Sequence, residues 1–159
     1  MPVLPSSLMQ VLVLLRRAFS APTFQTFEAL LGGMIGRVGE RTVCGMWQAA
    51  RLAGRVHHSV AHDFFARSRW STDEVGLRLL DVLIERFVDP GAPICLAVDG
   101  SVFGRSGRKV HGAVWHHDAS AASGGAFCYG NCFVVLGLVV RIAVLGERAW
   151  CLPVLFGCG

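Results

Sequence analysis

Asp99 stands where a run of five apolar residues, Ile94 to Val98, gives way to Gly100. A carboxylate at the end of a buried strand can point into an open cleft while the strand holds it rigid. Hard cations such as Mg²⁺ take oxygen ligands of this kind. The same position suits an acid that caps the following turn through its own backbone. His58 and His62 are four residues apart, which puts both on one helix face, as in zinc-binding pairs. No third ligand lies near them in the sequence. His116, His117, Cys128 and Cys132 have the residue types of a zinc quartet. Adjacent histidines on a strand point to opposite faces, however, and the two cysteines fall in a strand-like apolar run. No cysteine is fixed by sequence beside an orienting base, as a Cys/His hydrolase requires.

The elements that must position these residues divide into helices and then strands. Leu8, Val11, Leu12 and Leu15 recur at helical spacing, as do Phe24, Phe27, Leu30 and Leu31, with Gly32-Gly33 expected to stop that second helix. Cys44 to Ala53 predicts a third helix with Thr42 as its N-cap. Ser59 is expected to cap a fourth, running to about Ser68 with Phe64 and Phe65 as anchors. Ser71 and Glu74 have capping-box spacing ahead of the stripe Val75, Leu79, Val82 and Leu83, and Asp89-Pro90-Gly91 ends that helix. Beyond Pro93 the pattern turns to strands: Ile94 to Val98, a turn-rich Gly100 to Gly107, a hairpin return over Lys109 to His116, a small-residue link at Ala119 to Gly125, a long β-branched run from Phe127 to Val140 bent near Gly137, and Leu152 to Phe156. Helices followed by a strand meander predict an α+β fold, with a helical region over 1–92 and a sheet region over 93–159.

Composition narrows the class. Of 159 residues 53% are hydrophobic and 16% charged, which excludes a disordered chain. The net charge of +4 permits nucleic-acid contact without demanding it. Residues 1–62 hold six Arg against Glu28 and Glu40, a balance of +4, so a DNA-facing helical region and a solvated basic face both fit. The six cysteines include no CxxC pair, and four sit in apolar runs, as reduced, buried thiols of a cytoplasmic protein would. The apolar run Leu8 to Leu15 is followed by its charges, Arg16 and Arg17, opposite to a secretory signal. It is also shorter than the roughly 20 residues a membrane span needs. Cys132 to Leu145 reads as a buried strand pair.

Several linked blocks together resemble DDE insertion-sequence transposases of bacteria. The central block is Ala97-Val98-Asp99-Gly100-Ser101-Val102-Phe103-Gly104-Arg105-Ser106-Gly107-Arg108-Lys109-Val110-His111-Gly112-Ala113, continued by Trp115-His116-His117-Asp118 and Tyr129-Gly130-Asn131-Cys132-Phe133-Val134-Val135-Leu136. Upstream, Gly45-Met46-Trp47-Gln48-Ala49-Ala50 and Phe64-Phe65-Ala66-Arg67-Ser68-Arg69-Trp70 resemble the helical region that precedes it. The resemblance implies an RNase H-like domain whose first strand ends in the first catalytic aspartate, here Asp99. It implies Mg²⁺ or Mn²⁺ held by three carboxylates, and cleavage and joining of DNA at transposon ends. Arg105, Arg108 and Lys109 would lie in the adjacent turn against backbone phosphates. A solvated hairpin tip would carry the same residues.

Two departures qualify the expectation. Gly100 stands where many relatives carry a second acid, and the family's second Asp and its Glu lie beyond the third strand, whereas this chain stops at Gly159. Asp118 and Glu147 are the only acids downstream of Asp99, and neither matches a catalytic block. The sequence therefore predicts a truncated N-terminal portion: a helical region over 1–92 that contacts DNA, and over 93–159 the first strands of an incomplete RNase H-like domain. Such a chain is expected to be inactive alone. The alternative is a non-enzymatic DNA-binding or inhibitory remnant that pairs with itself or with full-length transposase. A sheet ending after its early strands would have an open edge and an uncovered apolar face.

Overall fold

Helices come first and a four-stranded antiparallel sheet follows in the computed structural model, which describes residues 4–40, 42–107, 109–118 and 126–158. The helices are α1 (Ser6–Leu15), α2 (Ala21–Gly36), α3 (Val43–Ala49), α4 (Ser59–Ala66) and α5 (Thr72–Phe87). The strands are β1 (Cys95–Gly104), β2 (Val114–Asp118), β3 (Ala126–Arg141) and β4 (Ala149–Cys158). This is the α+β arrangement expected from the sequence. Contacts group the chain into two units, Met1–Arg78 and Leu79–Gly159, with the boundary inside α5. Among the described residues, no helix is long and apolar enough to cross a membrane.

In the first unit the caps are local and mostly legible. Ser20 Oγ accepts the Thr23 amide at the start of α2, and Thr42 Oγ1 accepts the Gly45 amide at the start of α3. Each satisfies one of the amides that a helix start leaves unpaired. Gly32-Gly33 does not end α2, which continues to Gly36. The reason is packing: a Cβ at Gly33 would collide with the Met46 carbonyl, so glycine here lets α2 and α3 approach closely. Helix α3 ends earlier than expected, at Ala49, where Arg51 takes a φ of 58° and Gly54 one of 81° to reverse the chain. Ser59 does not cap α4. Its amide is taken instead by His57 Nδ1, and its hydroxyl lies 2.9 Å from the same nitrogen. Ser71 Oγ does accept the Glu74 amide, but the Glu74 carboxylate turns to Arg78 at 2.8 Å and leaves the capping box half made.

The core of this unit gathers Ala29 and Leu30 of α2, Met46, Trp47 and Ala50 at α3, and Ala61 and Phe64 of α4. Phe19, Phe27 and Trp70 pack against it as an aromatic layer, with Phe19 on Phe27 at 4.8 Å and Phe64 on Trp70 at 4.9 Å. Of the two expected anchors only Phe64 is buried, while Phe65 faces outward. The indole N–H groups are satisfied, Trp47 donating to the Val56 carbonyl and Trp70 to that of Phe64. A buried indole without such a partner would carry a desolvation cost.

In the second unit β3 is central. One of its edges pairs with β1 from Gly130 to Val139. Its other edge pairs first with β2 over 126–130 and then with β4 over 133–141. Gly100 to Gly107 is therefore not a hairpin turn: β1 runs on through Gly104, and β2 returns to β3, not to β1. Val102 and Phe103 favour extended backbone, and Gly100 sits opposite Val134 in the ladder, where a Cβ would meet Cys132 Sγ at an ordinary contact distance of 4.0 Å. The run from Phe127 to Val140 is one strand with a register shift between Leu136 and Gly137, where a Cβ on Gly137 would collide with Cys151 Sγ. The expected strand pair over Cys132 to Leu145 is instead the rest of β3 and a 3₁₀ turn, Ala143–Leu145. Leu138, Val140 and Val154 are buried, whereas Val98 on the edge strand is 67% exposed.

Cys44, Cys95, Cys128, Cys132 and Cys151 are free, but not buried as expected. Cys44, Cys95 and Cys151 are exposed, and Cys128 and Cys132 partly so. Cys95 and Cys151 both sit opposite Val139 on the outer strands, on the sheet face away from Leu138.

The close approach of α2 to α3 gives a clean comparison. Gly33→Ala should destabilise the chain by about 1–3 kcal/mol through overpacking. Gly36→Ala, which meets nothing within 4 Å, should be neutral or gain up to about 1 kcal/mol. Urea unfolding followed by circular dichroism reads both, and coincident curves for the two variants would refute the contact.

Candidate functional site

Asp99 lies in the middle of β1, not at a strand end. Its side chain is exposed, and Oδ1 accepts the amide of Gly100 at 2.9 Å. The self-capping bond foreseen for a turn acid is thus present, although on extended backbone. Alternation along the strand places Asp99 on one sheet face with Ala97, Ser101 and Phe103. Directly across the ladder stand Val135 of β3 and, beyond it, Phe156 of β4. The strand therefore supplies rigidity, and the described residues across the ladder supply no second carboxylate. A Mg²⁺ ion takes near-ideal octahedral oxygen coordination, and a pair of ions needs several carboxylates to bridge it. The neighbours of Asp99 do not fit that requirement. Among the described residues, no group of three His, Cys, Asp or Glu side chains could hold a metal ion.

Arg105 and Lys109 do not lie in a turn adjacent to Asp99. Arg105 follows β1, its amide donating to the Tyr129 carbonyl at 2.9 Å. Six steps of extended chain separate it from Asp99, or about 20 Å at the rise of a strand. Lys109 is exposed in the link that leads to β2. Arg108 lies outside the described residues.

A residue that sequence reasoning did not single out organises this end of the sheet. Asn131 is 5% exposed and is the buried polar residue of the described core. Its Oδ1 accepts Arg105 Nε–H at 3.2 Å, and its Nδ2 donates to the His111 carbonyl at 2.9 Å. One amide side chain on β3 thus ties down both the residue leaving β1 and the segment entering β2. The available signal was a lone polar residue inside the apolar run from Phe127 to Val140, since buried amides need partners.

The paper quartet of His116, His117, Cys128 and Cys132 does not assemble. His116 is opposite Cys128, but His116 Nε2 lies 3.2 Å from the Gly130 carbonyl. His117 is on the other face, edge-on to Phe127. Cys132 is four strand residues from Cys128, about 13 Å.

The family model described as DDE superfamily endonuclease matches residues 14–155. That span takes in the helical core, Asp99, Asn131 and most of β4. No curated protein and no solved structure matches the chain.

The Asn131 bridge has a measurable consequence. Asn131→Ala should cost about 1–3 kcal/mol, because it leaves a carbonyl and a guanidinium without their partner. Arg105→Ala should cost less, since its guanidinium is largely in water. Urea midpoints of the two variants decide this, and a larger loss in the Arg105 variant would show that the bridge is not what holds the segment.

Proposed function

The chain belongs to the DDE superfamily endonucleases, and on that premise we propose that it is a transposase-type protein that engages DNA, with Asp99 as its first metal-binding carboxylate and no strand-cleaving activity by itself. The observation that supports this reading is the isolation of Asp99: a rigid, exposed carboxylate with Val135 and Phe156 across the ladder and, among the described residues, no acid beside it. A single carboxylate gives a weak Mg²⁺ or Mn²⁺ site, so the chemistry needs acids that this arrangement does not bring together.

Arg105, Arg108 and Lys109 serve in this reading as phosphate contacts. The spacing of about 20 Å between Asp99 and Arg105 corresponds to roughly six base-pair steps at 3.4 Å each. The basic residues would then hold flanking duplex in register and leave the phosphate nearest Asp99 to other groups. The helical region over 1–92 and the sheet region over 93–159 are the proposed division of labour, with the six arginines of residues 1–62 available for further backbone contacts. The lack of a three-carboxylate cluster among the described residues also favours a second reading, a non-enzymatic DNA-binding chain that acts by pairing with active subunits.

Two measurements test these statements. The purified chain, incubated with Mg²⁺ or Mn²⁺ and a fluorescent DNA duplex, should nick no faster than its Asp99→Asn variant; Asp99-dependent nicking would overturn the assignment of inactivity. The double variant Arg105→Ala/Lys109→Ala should bind duplex more weakly whatever its sequence. The salt dependence of log K should fall by about 1.8, twice the slope of one phosphate contact. An unchanged slope would remove these residues from the DNA interface.

A further inference from the structure

The sheet sorts its aromatic side chains by face. Residues opposite one another in a ladder share a face, and successive residues alternate. By the register of β3 with its neighbours, Phe103, Trp115, Phe127, Tyr129 and Phe133 fall on the face that carries Asn131. Val98, Leu136 and Leu138 lie on the other face, together with Trp150. Three of the first set stand well out in solvent: Trp115 is 69% exposed, Phe127 66% and Phe103 49%. Each is braced by a neighbouring ring. Trp115 meets Tyr129 and Phe103 meets Phe133 edge-on, both with centroids 5.5 Å apart, and Phe127 meets His117 at 5.7 Å. Exposed apolar surface that is contiguous and rigid marks a place of interaction.

The charge on this end of the sheet says what kind of ligand it suits. Arg105 is exposed, and it is tied to the aromatic rows twice: its amide donates to the Tyr129 carbonyl and its Nε–H to Asn131 Oδ1. Asp99 shares the face, but it stands opposite Val135, six steps along β3 from Tyr129. That is about 20 Å, beyond the roughly 10 Å over which charges act at 0.1 M salt. The aromatic end is therefore cationic. A phosphate backbone complements that charge, whereas a second copy of the same face brings more of it.

We propose that this face binds single-stranded DNA, with bases stacked on Trp115, Phe127 and Phe103 and the backbone held by Arg105. Every base has a π-face, so such a platform tolerates any sequence. A duplex cannot use it, because its bases are stacked on one another. The inference rests on the reading that the chain engages DNA, and it adds a form of DNA that the phosphate contacts alone do not select.

Fluorescence anisotropy of the whole chain tests this with three labelled probes: oligo(dT), an abasic deoxyribose-phosphate oligomer of equal charge, and a duplex. Oligo(dT) should bind at least about fivefold more tightly than the abasic oligomer. Trp115→Ala and Phe127→Ala should each weaken oligo(dT) binding by about fivefold or more and leave duplex affinity unchanged. Trp115→Leu, which keeps apolar bulk and loses the π-face, should also weaken it. Val98→Ala, on the other face, should change nothing. Thermal melts followed by circular dichroism report that each variant is folded. Equal affinity for oligo(dT) and the abasic oligomer, or parental oligo(dT) affinity in folded Trp115→Ala and Phe127→Ala, would overturn the proposal. So would a dimer in sedimentation that Trp115→Leu dissociates and oligo(dT) does not, which would give the face to a second copy. Ordinary duplex binding without base-dependent binding of the single strand sinks this inference and leaves the DNA reading standing. Failure to bind any of the three probes sinks both.

Discussion

Strand β3 is the constraint on which the sheet unit depends. β1, β2 and β4 each hydrogen-bond to β3 and none pairs with another. Its sequence is shaped by that duty. Gly130 faces both Gly104 and Val114, and a Cβ there would collide with the Phe103 carbonyl. Gly137 marks the irregularity that lets β4 follow with its Cys151 side chain against the backbone. Asn131, next to the first of these glycines, fixes the segments that leave β1 and enter β2. Glycine inside a strand weakens it in isolation. Here the loss is offset because each glycine admits a neighbour that any side chain would exclude.

This division between local and non-local causes explains what could be read in the sequence. Helices α1 to α5 were legible because their signals are local: apolar residues at a spacing of 3.6 and hydroxyl caps at Thr42 and Ser71. Ser59, by contrast, gives its amide to His57 Nδ1 and caps nothing, and the end of α2 was misplaced by a residue whose role is tertiary. Gly33 looks like a stop signal and acts as a contact surface for Met46. In the sheet, the runs themselves were legible and their pairing was not. Gly100, Gly104 and Gly107 imitate a turn, and only the length of β3 decides that β1 continues past Asp99 to meet it. Cysteine burial was misjudged for the same reason. An apolar run shows that a segment is a strand, but the partner strands decide which face is covered, and Cys95 and Cys151 fall on the open one.

Asp99 illustrates a related limit. Nothing in its spacing distinguishes a metal ligand from an acid that bonds its own neighbouring amide, and the structure shows that bond to Gly100. The weight on its chemistry comes from the resemblance of the surrounding blocks, now joined by a family match over residues 14–155. What the structure adds is placement. A carboxylate in mid-strand has a backbone fixed on both sides by the β1–β3 ladder, so it is oriented more firmly than one on a loop. The same ladder fixes which residues stand opposite it, and Val135 and Phe156 donate no oxygen. Rigidity and incompleteness here have one cause.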